Sequence, residues 1–426
     1  MAELSPVIPQ ELMTDILLRL PVKSVGKFRC VSKPWRSLLS DPLFIKAHLN
    51  LHLHDPQNFI FISFKDYNAL RITNLATIIS TSSDSFDNAG VSRKLPLLEN
   101  LLYPKIVGSC NGLVLVLEER LRRNWMVLFL DVGMGGDSFP DKEQVPGPDT
   151  AYLINPTTME LVKLPNRPYS WEALNNGDGF GYDSSNDDYK FVTLSRNHDP
   201  VAEPASSSDA FLDVFSVKSR TWKRIDSLPC DLQIGPGVWL NGAIHWLALF
   251  DDSLIVAFDL ISEEFKPLPG PNTTIPPHQG GSYLRTRKLV VLGGCLAMMV
   301  ADDQENLPSH EIDIWMMKEY GVGESWTKFS VPIPEGEAFC QPICLLGDDN
   351  VVLRSSSWKF YVHNLREGST TVVAGIQGIF GDVVGFSESL VSPISQQSNG
   401  GQHNPEGSLL EVNATEGKSL QVYCVM

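Results

Sequence analysis

Few side chains in this 426-residue chain stand at the spacings that chemistry needs. His310-Glu311 opens like the zinc-binding helix of a peptidase, but Ile314 stands where the second histidine belongs, and the segment alternates like a strand. Gly177-Asp178-Gly179-Phe180-Gly181 is glycine-rich without the G-x-G-x-x-G order, so a turn ahead of a strand is expected rather than a phosphate cradle. Asp183, Asp187 and Asp188 are calcium-type ligands, yet a solvated hairpin turn is the better account of them. His245 beside Trp246 reads as a hydrogen-bonded core histidine. Cys340 and Cys344 flank Pro342 and Ile343, which favours buried strand thiols over a redox pair. No G-x-S-x-G nucleophile elbow occurs. Trp222 and Trp326 have the shape of ligand platforms, but their recurring position points to packing. The expectation is a non-enzyme with no catalytic residues, no metal and no cofactor.

Composition narrows the partners. Asp and Glu total 50 against 34 Lys and Arg, a formal charge of −16, which repels nucleic acid and anionic membranes. The densest basic cluster, Arg120, Arg122 and Arg123, follows Glu118 and Glu119. The seven cysteines form no C-x-x-C pair, so reduced, mostly buried thiols and a cytoplasmic or nuclear location are expected. The first residues carry no basic and apolar leader pattern, and Cys424 is third from the end, unlike a prenylation box. The longest apolar stretch, Leu289 to Val300, is 12 residues and contains Gly293 and Gly294, whereas a spanning helix needs roughly 20.

The positioning elements fall into two regions with different periods. Ile8, Leu12, Ile16 and Leu20 recur every four positions, predicting a short helix with Pro9 in its first turn and an end at Leu20-Pro21. A second helix follows from Val22 to Val31. Ser32 caps a third carrying Trp35, and Asp41 caps a fourth opened by Pro42. Such a piece, about 40 residues, holds more apolar side chains than its own core can hide. It is either a cap on the larger domain or a docking module with a bare apolar face.

From residue 58 the period is two, with strands bounded by Gly, Asn, Asp or Pro and no intervening helices expected. A unit repeats: Ile154 and Leu161, Phe215 and Trp222, and Phe258 and Phe265 are each seven apart across a polar turn. A stretched copy runs from Ile314 to Trp326 and a degenerate one from Val362 to Val372. Ahead of these lie tight hairpins at Asn111-Gly112, Asn241-Gly242, Gly293-Gly294 and Gly347-Asp348. Four strands repeating about every 50 to 70 residues is the signature of a β-propeller. Five units fill residues 105 to 376, and strands at Phe59 to Phe64 and Asp382 to Val391 are placed to pair and close a sixth blade. Six blades are expected, with five or seven left open. Gly133 to Asp149, Asn197 to Asp209 and Gly270 to Ser282 read as exposed loops, and the chain from Ser392 as a disordered tail. The expected division is 1–54, 55–391 and 392–426.

Ile8-Pro9-Gln10-Glu11-Leu12, Leu20-Pro21-Val22-Lys23-Ser24, Phe28-Arg29-Cys30-Val31-Ser32-Lys33, Trp35-Arg36 and Asp41-Pro42-Leu43-Phe44 resemble a plant F-box. Gly108 to Leu113, Phe180-Gly181-Tyr182-Asp183, Trp222-Lys223-Arg224-Ile225, Leu240 to Trp246 and Asp313 to Val322 resemble the F-box-associated, kelch-like domain of the same family. The resemblance implies a substrate-recognition subunit of a SKP–cullin–F-box ubiquitin ligase. Its head would dock a SKP-type linker, and cullin through it, and the propeller would hold a protein client for ubiquitylation and proteasomal degradation. By motif match the docking residues are Ile8, Pro9, Leu12, Ile16, Leu20, Pro21, Val31 and Trp35. Gly26, where the family has an aliphatic residue, and Ile8, where leucine is commoner, are mild departures. The most similar branch contains regulators of defence-receptor turnover, which implies an immune receptor as client. Charge agrees independently: residues 1–54 carry +3 and the rest −19, a basic head suited to an acidic linker. The rival readings are a glycan-binding or enzymatic propeller with a helical cap, and a scaffold outside any ligase.

Overall fold

A computed structural model describes residues 9–52, 57–63, 69–80, 92–98, 101, 104–118, 149–167, 174–196, 210–226, 228–229, 232, 235–248, 254–272, 285–302, 311–375 and 379–394. Four short helices come first: α1 (Gln10–Leu18), α2 (Val22–Phe28), α3 (Lys33–Leu39) and α4 (Pro42–His52). Both expected caps are in place. The Ser32 hydroxyl accepts from the Trp35 N–H, and the Asp41 carboxylate accepts from the N–H groups of Leu43 at 2.8 Å and Phe44 at 3.3 Å. Pro9 sits just before α1 rather than inside it, and α2 stops at Phe28 instead of Val31.

Six four-stranded antiparallel sheets follow. The second blade is β4 (Pro104–Cys110), β5 (Leu113–Glu118), β6 (Thr150–Asn155) and β7 (Glu160–Lys163). The third is β8 (Leu174–Asp183), β9 (Asp188–Arg196), β10 (Ala210–Ser216) and β11 (Thr221–Ile225). The fourth is β12 (Val238–Leu240), β13 (Ala243–Leu247), β14 (Leu254–Asp259) and β15 (Glu264–Pro269). The fifth is β16 (Arg285–Leu292), β17 (Cys295–Asp302), β18 (Glu311–Met317) and β19 (Trp326–Pro332). The sixth is β20 (Cys340–Leu346), β21 (Asn350–Ser355), β22 (Lys359–Asn364) and β23 (Ser369–Gly375). The first blade joins both ends of the domain: β24 (Ile379–Phe386) pairs with β1 (Asn58–Ser63), followed by β2 (Ala69–Asn74) and β3 (Arg93–Lys94). That pairing removes two free edges and closes the ring. The strand ends at Phe386, so residues up to Val391 do not belong to it as the sequence implied. A short helix, α5 (Leu75–Ser80), also interrupts the first blade, against the expectation of strands alone; the Asn74 carboxamide caps it and Leu75 and Ile78 bury its inner side.

The innermost strands β4, β8, β12, β16, β20 and β24 touch around the axis. The core is six wedges, one between each pair of neighbouring blades, and a seventh cluster within the helical head.

The seven-residue spacing is explained by turn chemistry. Ile154 lies opposite Leu161, Phe215 opposite Trp222 and Phe258 opposite Phe265. In these turns the residue ending the strand folds its side chain back: Asn155 and Asp259 each accept from two N–H groups, two and three residues on, and the Ser216 hydroxyl from Ser219. The residue just before the next strand, Met159, Arg220 or Glu263, is left-handed, with φ of 62°, 58° and 55°. The stretched copy differs: Trp326 lies opposite Met317, not Ile314, because a longer loop with a 3-10 turn at Gly323–Ser325 shifts the register. In the last unit the pair seven apart is His363 and Thr370, so the unbroken register from the turn sets Val372 opposite Tyr361 instead of Val362.

Two further sequence readings need correction or completion. Gly177 to Gly181 is not a turn but part of strand β8. A Cβ on Gly179 would lie 2.6 Å from Ile244 Cγ2, and one on Gly181 would lie 2.2 Å from Trp239 Cδ1, so these glycines let the fourth blade approach. The apolar stretch from Leu289 to Val300 is the β16–β17 hairpin around Gly293-Gly294. No helix among the described residues is long and apolar enough to cross a membrane.

Candidate docking site

The head packs on one rim of the disc. Leu17, Val22, Val25, Leu39 and Phe44 form its buried cluster, with Met13, Leu18, Leu20, Phe28, Trp35 and Leu38 half-buried around them. Phe28 and Trp35 meet edge to face with centroids 5.5 Å apart. Arg29 ties α2 to α3 by donating twice to the Leu39 carbonyl, at 2.8 and 3.1 Å. His48 and His52 of α4 hydrogen-bond the carbonyls of Leu20 and Leu18, holding the end of α1 and the bend into Pro21. Ile45 and Leu49, from α4's inner side, pack on the wedge between the second and third blades, and Lys46 reaches Asp187 at 3.5 Å.

That seating leaves the outer side bare. Leu12 is 57%, Ile16 53% and Val31 62% exposed, and Pro9 and Pro21 are exposed beside them. Of the residues singled out for docking, these five present themselves to solvent. Leu20 and Trp35 are half-buried and contribute mainly to the head's own core, while Ile8 lies outside the described residues. Leu43, 79% exposed, and Leu51, 54% exposed, extend the bare apolar surface along α4. Neither is among the docking residues that the motif match names, although their spacing of eight on one helix is a readable signal. Lys27, Lys33 and Arg36 are exposed on the same small domain, so its basic character reaches the surface.

The opposite face of the disc has its own logic. The tight turns at Asn111-Gly112 and Asn241-Gly242, and the turns after Asn155, Ser216 and Asp259, all lie on the head side. Glu118 and Thr150, Arg196 and Ala210, and Pro269 and Arg285 are the strand ends that flank the three long insertions, and all lie at the other face. The insertions themselves lie largely outside the described residues.

The side chains with chemical promise are committed to structure. Asp183 accepts from Ser185 and Asn186 and pairs with Lys190 at 3.2 Å; burial alone would raise its carboxyl, but these bonds pull it down to about 2. Asp188 accepts from Ser216 and the Lys218 N–H, and Asp187 accepts from the Tyr182 hydroxyl. His245, fully buried, bonds the Val238 carbonyl at 2.9 Å and the Tyr320 hydroxyl at 2.7 Å across the fourth and fifth blades; desolvation pushes its imidazole down to about 4. Cys340 and Cys344 are buried thiols on β20, and desolvation raises Cys340 to about 12. Trp222 and Trp326 donate to the carbonyls of Pro165 and Pro269, each at the end of the preceding blade, so both tryptophans are inter-blade struts. His310 lies outside the described residues, and Glu311 begins strand β18. Among the described residues no group of three His, Cys, Asp or Glu stands close enough to hold a metal ion.

A small helical head with a bare apolar side is thus fixed to a six-bladed disc. The comparisons with known proteins name the family. Residues 7–46 match the F-box domain and residues 79–362 the F-box associated beta propeller domain. F-box protein CPR1 of Arabidopsis thaliana is 30% identical over 375 residues, covering 81% of this chain and 79% of the relative. F-box/kelch-repeat protein At3g23880 of the same plant is 29% identical over 381 residues, covering 85% and 88%. The chain belongs to the plant F-box proteins that carry an F-box-associated propeller, a family whose members are generally non-catalytic adaptor subunits of SCF-type complexes.

Proposed function

We propose that this chain is the substrate-recognition adaptor of a SKP–cullin–F-box ubiquitin ligase, docking an acidic SKP-type linker through Pro9, Leu12, Ile16, Pro21 and Val31 and holding a protein client on the opposite face of the disc. The observation that carries the reading is the exposure of those apolar side chains on a head whose other side is already seated. Proximity is the mechanism. The linker and cullin bring the charged conjugating enzyme to one end of the adaptor while the client is held at the other, so transfer becomes effectively intramolecular. Insertions anchored at the far face of a rigid scaffold suit client selection. The matching compartments are the cytoplasm and the nucleus, where thiols stay reduced.

Affinity purification of the full chain with the proteasome blocked tests the whole reading. Linker and cullin are expected to co-purify together with ubiquitylated client, an immune receptor being the class that the resemblance implies. Recovery of the linker without cullin would favour a scaffold outside the ligase. Recovery of neither would overturn the adaptor reading.

A further inference from the structure

After β24 the chain does not leave the molecule. Residues 387–391 run between the head and the disc, with Ser389, Leu390 and Val391 each no more than 5% exposed. Leu390 enters the head's own buried cluster beside Leu17, Val22, Val25, Leu39 and Phe44, whereas its neighbour Val391 enters the wedge between the second and third blades. Two adjacent side chains are thus shared between two bodies. The backbone here is held by Asn155, fully buried, whose side-chain N–H₂ donates to the carbonyls of Ser389 at 3.1 Å and Val391 at 2.7 Å while its oxygen stays on its own turn. Glu388 pairs with Lys23 of α2 at 2.6 Å. The hairpin beneath is shaped to fit: a Cβ on Gly112 would lie 2.2 Å from the Ser389 hydroxyl oxygen and 2.7 Å from the Ser387 carbonyl oxygen.

We infer that residues 387–391 are a clamp that completes the head's hydrophobic core and fixes the head's orientation on the disc. The head alone is too small for a generous core, and Leu390 comes from the far end of the domain to fill it. A side chain in one core, its neighbour in the other and a buried amide between them leave little freedom for the head to pivot. The clamp stands on these contacts alone. Its significance, one fixed angle between docking face and client face, rests on the adaptor reading.

Amide hydrogen exchange on the full chain tests the clamp, with Leu390→Asp and Asn155→Ala as variants. Peptides from α1 to α3 are expected to exchange at least about tenfold faster in Leu390→Asp and a few-fold faster in Asn155→Ala, with β16 to β19 unchanged in both. Leu390→Ala, the milder truncation, is read in the same way where Leu390→Asp yields no folded protein. Head peptides exchanging at the wild-type rate in all folded variants would overturn the clamp, as would head and β16–β19 accelerating equally. Titration of the wild-type chain with purified SKP-type linker is the separate arm: its failure would overturn the adaptor reading and leave the clamp intact.

Discussion

Truncating the bare side of α1 is the sharpest test of the docking face. Fully burying a leucine or isoleucine contributes about 1.5–3 kcal/mol. Leu12 and Ile16 keep 57% and 53% of their surface exposed, so a partner can still cover roughly half of each. Alanine at both positions keeps only the Cβ, and about 2 kcal/mol of docking energy is lost, or roughly a 30-fold weaker Kd. The fold should barely register the change, because exposed positions away from caps and cores usually shift stability by less than about 0.5 kcal/mol. The assay is calorimetric titration of full-length wild type and Leu12→Ala/Ile16→Ala with purified SKP-type linker, alongside denaturant unfolding of each. A Kd within about threefold of wild type, with unfolding midpoints unchanged, would refute the reasoning. Leu20→Ala is a poorer probe, because Leu20 supports the head's own core and its loss would mix folding with docking.

Other perturbations address the disc. Gly181→Ala places a methyl group 2.2 Å from Trp239, and overpacking of this kind costs about 1–3 kcal/mol in urea unfolding; a neutral effect would mean the blades are not in the contact described. Trp326→Phe removes the bond to the Pro269 carbonyl and should lower stability by about 1 kcal/mol, whereas Trp315→Phe offers a control on the same sheet. His245 should make stability depend on pH. Desolvation holds its imidazole at about 4, below the ordinary 6.5, so the unfolded chain takes up the proton first as pH falls. The stability it confers is complete above about 6.5 and is lost between there and about 4, by up to about 3 kcal/mol. The difference between wild type and His245→Gln in midpoint against pH measures it, and parallel curves would show that His245 is not the group responsible.

Local chemistry made much of this legible in advance. The Asn-Gly hairpins and the caps at Ser32 and Asp41 depend on neighbouring residues, and each is where the spacing put it. The seven-residue recurrence was readable because a folded-back polar side chain and one left-handed residue always return the strand to the same cross-strand partner. Features set by distant partners were not readable. Gly177 to Gly181 looks like a turn because its real reason, the approach of Trp239 and Ile244, lies more than one blade strand away in sequence. Leu390 and Val391 read as the end of a strand, and only the folded ring brings one to the head and the other to the wedge beneath it. In the head, the motif does not separate Leu12 and Ile16, which face outward, from Leu20 and Trp35, which turn inward.

The seal between β1 and β24 also imposes an order of events on synthesis. The helices emerge from the ribosome first, yet the leucine that fills them and the strand that shuts the ring arrive about 330 residues later, on the order of half a minute at ordinary translation speeds. A nascent or prematurely terminated chain therefore has an open sheet edge and an underfilled head at the same time. Translation to the far end is what makes both finished together.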